Sequence, residues 1–155
     1  MVYDLFNFIC GDQKPMNAEL ILWPVLVQIA LTVVVFLILG ARKLSAFKAK
    51  SVDLRKAALD NSAWPDDVRK VSNNIQNQFQ LPVIFYVLCF AFLTTNSVSL
   101  EVLILAWGFA TSRVVHSYIH VGSNHVPARS RIFMVGCICL ILLSVLLTIR
   151  LFSGV

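Results

Sequence analysis

The sequence predicts an all-α integral membrane protein, a four-transmembrane-helix bundle. Three observations carry this. Of 155 residues, 58% are hydrophobic and only 14% charged, and the mean hydropathy of +0.78 lies outside the range of ordinary soluble domains. The apolar residues form four blocks, each near the roughly 20 residues that cross a hydrocarbon core about 30 Å thick. Lys and Arg gather in the connections on one side of those blocks.

Residues 1–18 form an N-terminal extension in which Phe6, Phe8 and Ile9 allow either an interfacial helix or a disordered segment. The first span, 19–40, reads "ELILWPVLVQIALTVVVFLILG". No basic region precedes it, so it is read as retained rather than cleaved. A long basic loop follows and ends in "AWPDD", where Pro65 opens a turn and Asp66 and Asp67 suit the positive end of a helix dipole. The second span, 74–95, begins polar and turns apolar after Phe79. Pro82 should kink it and open a crevice just below Asn77 and Gln80. The third span, 98–120, is apolar first and polar last, which brings the two polar ends to one side. The fourth, 132–152, carries almost no polar groups and reads as a packing and lipid-facing helix.

Arg42, Lys43, Lys48, Lys50, Arg55, Lys56, Arg69 and Lys70 lie between spans one and two, and Arg129 and Arg131 between three and four; only Lys14 and Arg150 lie opposite. The bias of short cytoplasmic loops toward cations therefore predicts both termini on the non-cytoplasmic side. Contact with anionic lipid headgroups accounts for the net charge of +5 without a nucleic acid partner. Cys10, Cys89, Cys137 and Cys139 have neither CxxC nor zinc spacing, and no chemistry is expected of them.

Two polar stripes interrupt this apolar pattern. On the third helix Arg113, His116, Ser117, His120 and Asn124 recur at spacings of three and four, which places them on one face. A headgroup-level Arg snorkelling to water explains one such residue, not a stack with two imidazoles. On the second helix Lys70, Asn73, Asn74, Asn77 and Gln80 recur in the same way. Either they form a hydrogen-bonded seam with another helix or they meet a ligand. With both stripes at the cytoplasmic end and Glu101 at the other, the donors would suit an anion such as a carboxylate or thiolate. An apolar co-substrate would arrive from the bilayer.

The pairing of "NQFQLPVIFY" with "RVVHSYIH" and "NHVPAR" resembles the MAPEG family, membrane-associated proteins in eicosanoid and glutathione metabolism, and in particular its bacterial-type members. The likeness runs from about Glu19, so that 19–155 form a MAPEG-like membrane domain. It implies a homotrimer of four-helix protomers in a bacterial inner membrane, with glutathione as co-substrate held between protomers and a lipophilic small molecule as second substrate. Carried over, Arg113 matches an Arg that holds glutathione, and Arg129, preceded by "VPA", matches one that stabilises the thiolate in some members. Asn77 and Gln80 match an Asn-x-x-Glu pattern. His116, Asn124 and Asn73, from the same stripes and the loop, complete the candidate binding set. Two positions depart from the pattern: Gln80 replaces the acid, and His120 stands where a Tyr often sits. His120 can hydrogen-bond sulfur or move a proton.

The implied activity is a glutathione-dependent transferase or peroxidase acting on lipophilic electrophiles. A non-catalytic protein that binds a lipid or other ligand is the alternative. A third reading, a metal or haem protein using His116, His120 and His125, is opposed by the cations Arg113, Arg129 and Arg131 beside them. No metal site is assigned.

Overall fold

The computed structural model describes residues 17–153, and the N-terminal extension expected over 1–18 falls almost wholly outside the described residues. All regular structure among them is helical. Asn17 opens the fold, its side-chain oxygen accepting the Glu19 N–H at 3.0 Å. A 3-10 turn, Ala18–Ile21, leads into α1, Leu22–Lys48. Pro24 sits in the first turn of α1, where a missing N–H breaks no helical bond. Short α2, Leu54–Ala57, and a turn at Asn61–Ala63 are started by the carboxylates of Asp53 and Asp60. Pro65 precedes α3, Asp66–Gln78, as the "AWPDD" run predicts, and α4 covers Leu81–Thr94. The last two helices are α5, Leu100–Val121, and α6, Val126–Ser153.

Helix ends are set by local chemistry. Lys50 and Asn96 adopt φ of 51°, which turns the chain so that Ser51 N–H reaches Ala46 O at 3.1 Å and Ser97 N–H reaches Phe92 O at 3.0 Å. These bonds satisfy carbonyls that the helix end would otherwise orphan. Asn124, φ 53°, closes α5 similarly, donating to Ile119 O at 2.7 Å.

Four helical rods are long and apolar enough to cross a membrane: Ala18–Lys48, Asp66–Thr94, Leu100–Val121 and Val126–Ser153. The chain is an integral membrane protein. The first rod has 31 residues, roughly 46 Å at 1.5 Å per residue, against a core of about 30 Å. Helix therefore continues past the apolar window on the basic side. There the protein supplies its own partners: Arg42, on that overhang, donates to Asp67 O at 2.6 Å and to Val121 O at 3.3 Å. One guanidinium thus joins α1 to the start of α3 and the end of α5.

The second rod is interrupted. Phe79 and Gln80 leave helical geometry, with Gln80 at φ −99°, ψ −92°, and Pro82 follows in the first turn of α4. Pro82 cannot donate to a carbonyl one turn back, so an unbroken helix would lose that bond. The break changes the rod's neighbours. Before it, α3 packs on α1 and α5; after it, α4 packs chiefly on α6.

The apolar core lies in the second zone, where Phe85 stacks on Phe109 at 4.4 Å and Phe92, Val102, Leu140 and Leu143 fill the space between α4, α5 and α6. The most extensive helix packing is α5 on α6. A Cβ added to Gly136 would lie 2.8 Å from Ser112 Oγ, so only glycine permits this spacing without a shift. At the far end Arg150 donates to Ser97 O and, at 2.8 Å, to Ser99 Oγ, holding α6 to the turn between α4 and α5.

Candidate functional site

Arg113 organises the site. It lies in the polar half of α5 and is 0% exposed. Its Nη2 donates to Asn77 O at 3.1 Å. That carbonyl is available because α3 stops at Gln78, so the break at Pro82 creates the acceptor. Phe133 of α6 lies beside the guanidinium, 5.7 Å from ring centre to Cζ. Nε and Nη1 have no partner, and the described ion pairs, Arg69 with Asp66 and Arg150 with Glu101, lie elsewhere. A buried guanidinium with two idle donor nitrogens is costly unless an anion joins it.

His116 and His120 follow on the same face, both buried, with ring centres 5.5 Å apart. His116 Nδ1 lies 3.2 Å from Arg129 O. A carbonyl only accepts, so Nδ1 carries the proton and Nε2 of the neutral ring offers a lone pair. Nε2 is buried without a partner. Asn77 Nδ2 approaches His120 Nδ1 at 3.5 Å, a long contact. Arg129 donates from Nη1 to Asn124 Oδ1 at 2.6 Å and stands within electrostatic range of both imidazoles. The cluster is thus cationic or neutral throughout.

The expected residues divide into two groups. Arg113, His116, His120, Asn77, Asn124 and Arg129 are linked by the contacts above. Asn124 is held there from the loop, because α5 ends at Val121 and the helical stripe ends with it. Asn73 and Gln80 instead lie exposed on the surface of the chain. The crevice at the break opens away from Asn77 and Gln80. It is a cleft of about 250 Å³ between α1 and the second rod, lined by Ile29, Thr32, Val33, Phe36, Gln78, Phe79, Val83 and Tyr86. His125 accepts the Ala128 N–H at 3.4 Å at the start of α6. Among the described residues no three metal-ligating side chains group together.

Asn74 and Ser117, both in the expected stripes, do form a hydrogen-bonded seam, but sequence reasoning missed the two glutamines that complete it, Gln28 and Gln78. Gln28 Nε2 donates to Gln78 Oε1 at 2.7 Å, and Gln78 Nε2 donates to Asn74 Oδ1 and Ser117 Oγ, each at 2.8 Å. Asn74 Nδ2 reaches Ser117 O at 3.3 Å. This seam fastens α1, α3 and α5 just beside Arg113. A signal existed: Gln28 is the one polar amide inside an otherwise apolar first span.

Fold and site together define an integral membrane protein of four helical rods, with a buried polar cluster rich in cationic donors where α3, α5 and α6 meet. The family model of the MAPEG family matches residues 20–149, and the chain belongs to that family. No curated protein and no solved structure matches the chain.

Proposed function

We propose that the cluster binds glutathione and presents its thiolate to lipophilic electrophiles or hydroperoxides from the bilayer, as a transferase or peroxidase. The observation that carries this reading is Arg113, wholly buried with Nε and Nη1 unpartnered. Beside it His116 Nε2 is a second idle polar atom. Arg113, His116, Asn77 and Asn124 would hold the peptide, with Asn73 and Gln80 reaching it from the outer surface. Arg129 and His120 would face the sulfur. A free thiol ionises near pH 8.5, and each unit of lowering corresponds to about 1.4 kcal/mol, so one cation in a dry site suffices to make thiolate dominant at neutral pH.

The exposure of Asn73 and Gln80 supports a site whose remaining wall is a second copy of the chain, in a homotrimer. We place the cluster on the cytoplasmic side of a bacterial inner membrane. A cysteine added after Val155 should then react with an impermeant maleimide from outside intact cells, whereas one replacing Lys56 should not; the reverse pattern removes this orientation.

The direct test is Gln80→Glu. A hydrogen bond with a charged partner contributes about 1.5–3 kcal/mol against about 1 for a neutral one. The variant should therefore bind glutathione roughly tenfold more tightly by calorimetry. The gain should vanish with an analogue lacking the amino group. Unchanged affinity would show that Gln80 does not meet the ligand's ammonium. Binding without turnover is a second reading, favoured by one contact: Arg129 is engaged by Asn124 at 2.6 Å rather than free for a sulfur. Thiolate absorbance on adding glutathione separates the two, since binding alone produces none.

A further inference from the structure

Cys137 stands on α6, four residues after Phe133 and next to Gly136. Phe133 lies beside the Arg113 guanidinium, and Gly136 is pressed against Ser112, the residue before Arg113. This face of α6 therefore brings Cys137 to the Arg113 level of α5. The two side chains lie within electrostatic range of one another. Cys89 and Cys139 are buried in the apolar core, whereas Cys137 is a free, partly exposed thiol. Its neighbours along α6, Met134 and Ile138, are 57% and 50% exposed on the apolar outer surface. Cys137 thus sits between a buried cation with idle donors and the route by which apolar molecules arrive.

We propose that Cys137 is a covalent capture site for lipophilic α,β-unsaturated carbonyl compounds, with Arg113 stabilising the sulfur anion that attacks. The step balances without a co-reactant. The thiol gives up its proton, sulfur forms a bond to the β-carbon, and the π electron pair moves to the α-carbon, which takes up a proton. The product is a thioether, and nothing is oxidised or reduced. A cation beside a thiol favours the anionic sulfur that attacks. An adduct at Cys137 would stand beside Arg113 and obstruct any anion bound there. The site stands whether or not that anion is glutathione.

The test uses the full chain in lipid nanodiscs exposed to trans-2-nonenal, with adducts at each cysteine followed over time by peptide mass spectrometry, which resolves Cys10 separately. Cys137 should be modified at least tenfold faster than Cys89 and Cys139. It should also outrun a cysteine introduced as Ile141→Cys, although Ile141 is 62% exposed, because no Lys or Arg lies within a helical turn of it on α6. Arg113→Gln should slow Cys137 at least tenfold, and Arg113→Lys, which keeps the charge, should restore most of the rate. Equal rates at Cys137 and at the cysteine of Ile141→Cys would overturn the proposal, as would indifference to Arg113→Gln. The comparison of positions 137 and 141 leaves Arg113 intact, so it decides the matter even if Arg113 variants fail to fold.

Discussion

Arg113→Met is expected to abolish binding of glutathione or any competing anion while making the ligand-free protein harder to unfold. The two effects have one cause. Arg113 is wholly buried, and two of its three guanidinium nitrogens have no partner. In the ligand-free state it contributes one hydrogen bond, to Asn77 O, worth about 1 kcal/mol. Against this stands the desolvation of a charge, several kcal/mol for an ion without a counterion. Methionine is unbranched and fills much of the same channel, so ligand-free stability should rise. With an anion present the sign reverses. Removing one partner of a buried pair costs about 3–5 kcal/mol, a loss of affinity of at least a hundredfold. Thermal unfolding of both proteins, with and without glutathione, reads both effects together. A fall in ligand-free stability would mean that the guanidinium already has an anionic partner.

The second large effect concerns the amide seam. Gln78→Leu removes the bonds to Gln28, Asn74 and Ser117 in one step. Each buried polar group left without a partner costs about 1–3 kcal/mol, although bonds between membrane helices average nearer 0.6 kcal/mol when measured pairwise. A loss of about 2–3 kcal/mol is expected. Gln28→Leu should cost less, about 1 kcal/mol: it strands Gln78 Oε1, but it also removes Gln28 Oε1, which is already buried without a partner. The ranking of the two variants in a denaturant titration is the measurement. Equal losses would show that Gln78 is not the hub of the seam.

The four rods could be read from the sequence because hydropathy over 20 residues is a strong, local signal. So could the inward face of α5: Arg113, His116, Ser117 and His120 follow one helical row without interruption, and all are buried. The second rod was harder. Residues 73, 77 and 80 form one row of amides and 74 and 78 another, a single step around the helix, and composition cannot say which row turns inward. The outcome depends on the break at Phe79 and Gln80, which resets the helix direction before the apolar half begins. Arg42 was hidden for a different reason. It stood among loop cations, where charge predicts sidedness, and its role as a bridge depends on α1 remaining helical beyond the lipid. Cys137 carries no spacing signal at all; only the packing of Gly136 on Ser112 reveals its neighbour.

The interruption of the second rod also bears on how this protein can change over evolutionary time. Because α3 and α4 answer to different neighbours, the chain is laid out as two storeys that share α5 as a common post. The lower storey is greasy, close-packed around Phe85, Phe92 and Phe109, and intolerant of altered volume. The upper one is assembled from an amide seam centred on Gln78 and, beside it, imidazoles and freed helix ends that do not depend on that hub and whose partners can be exchanged singly. Ligand preference can therefore drift upstairs while the foundation that keeps the molecule in the membrane stays the same.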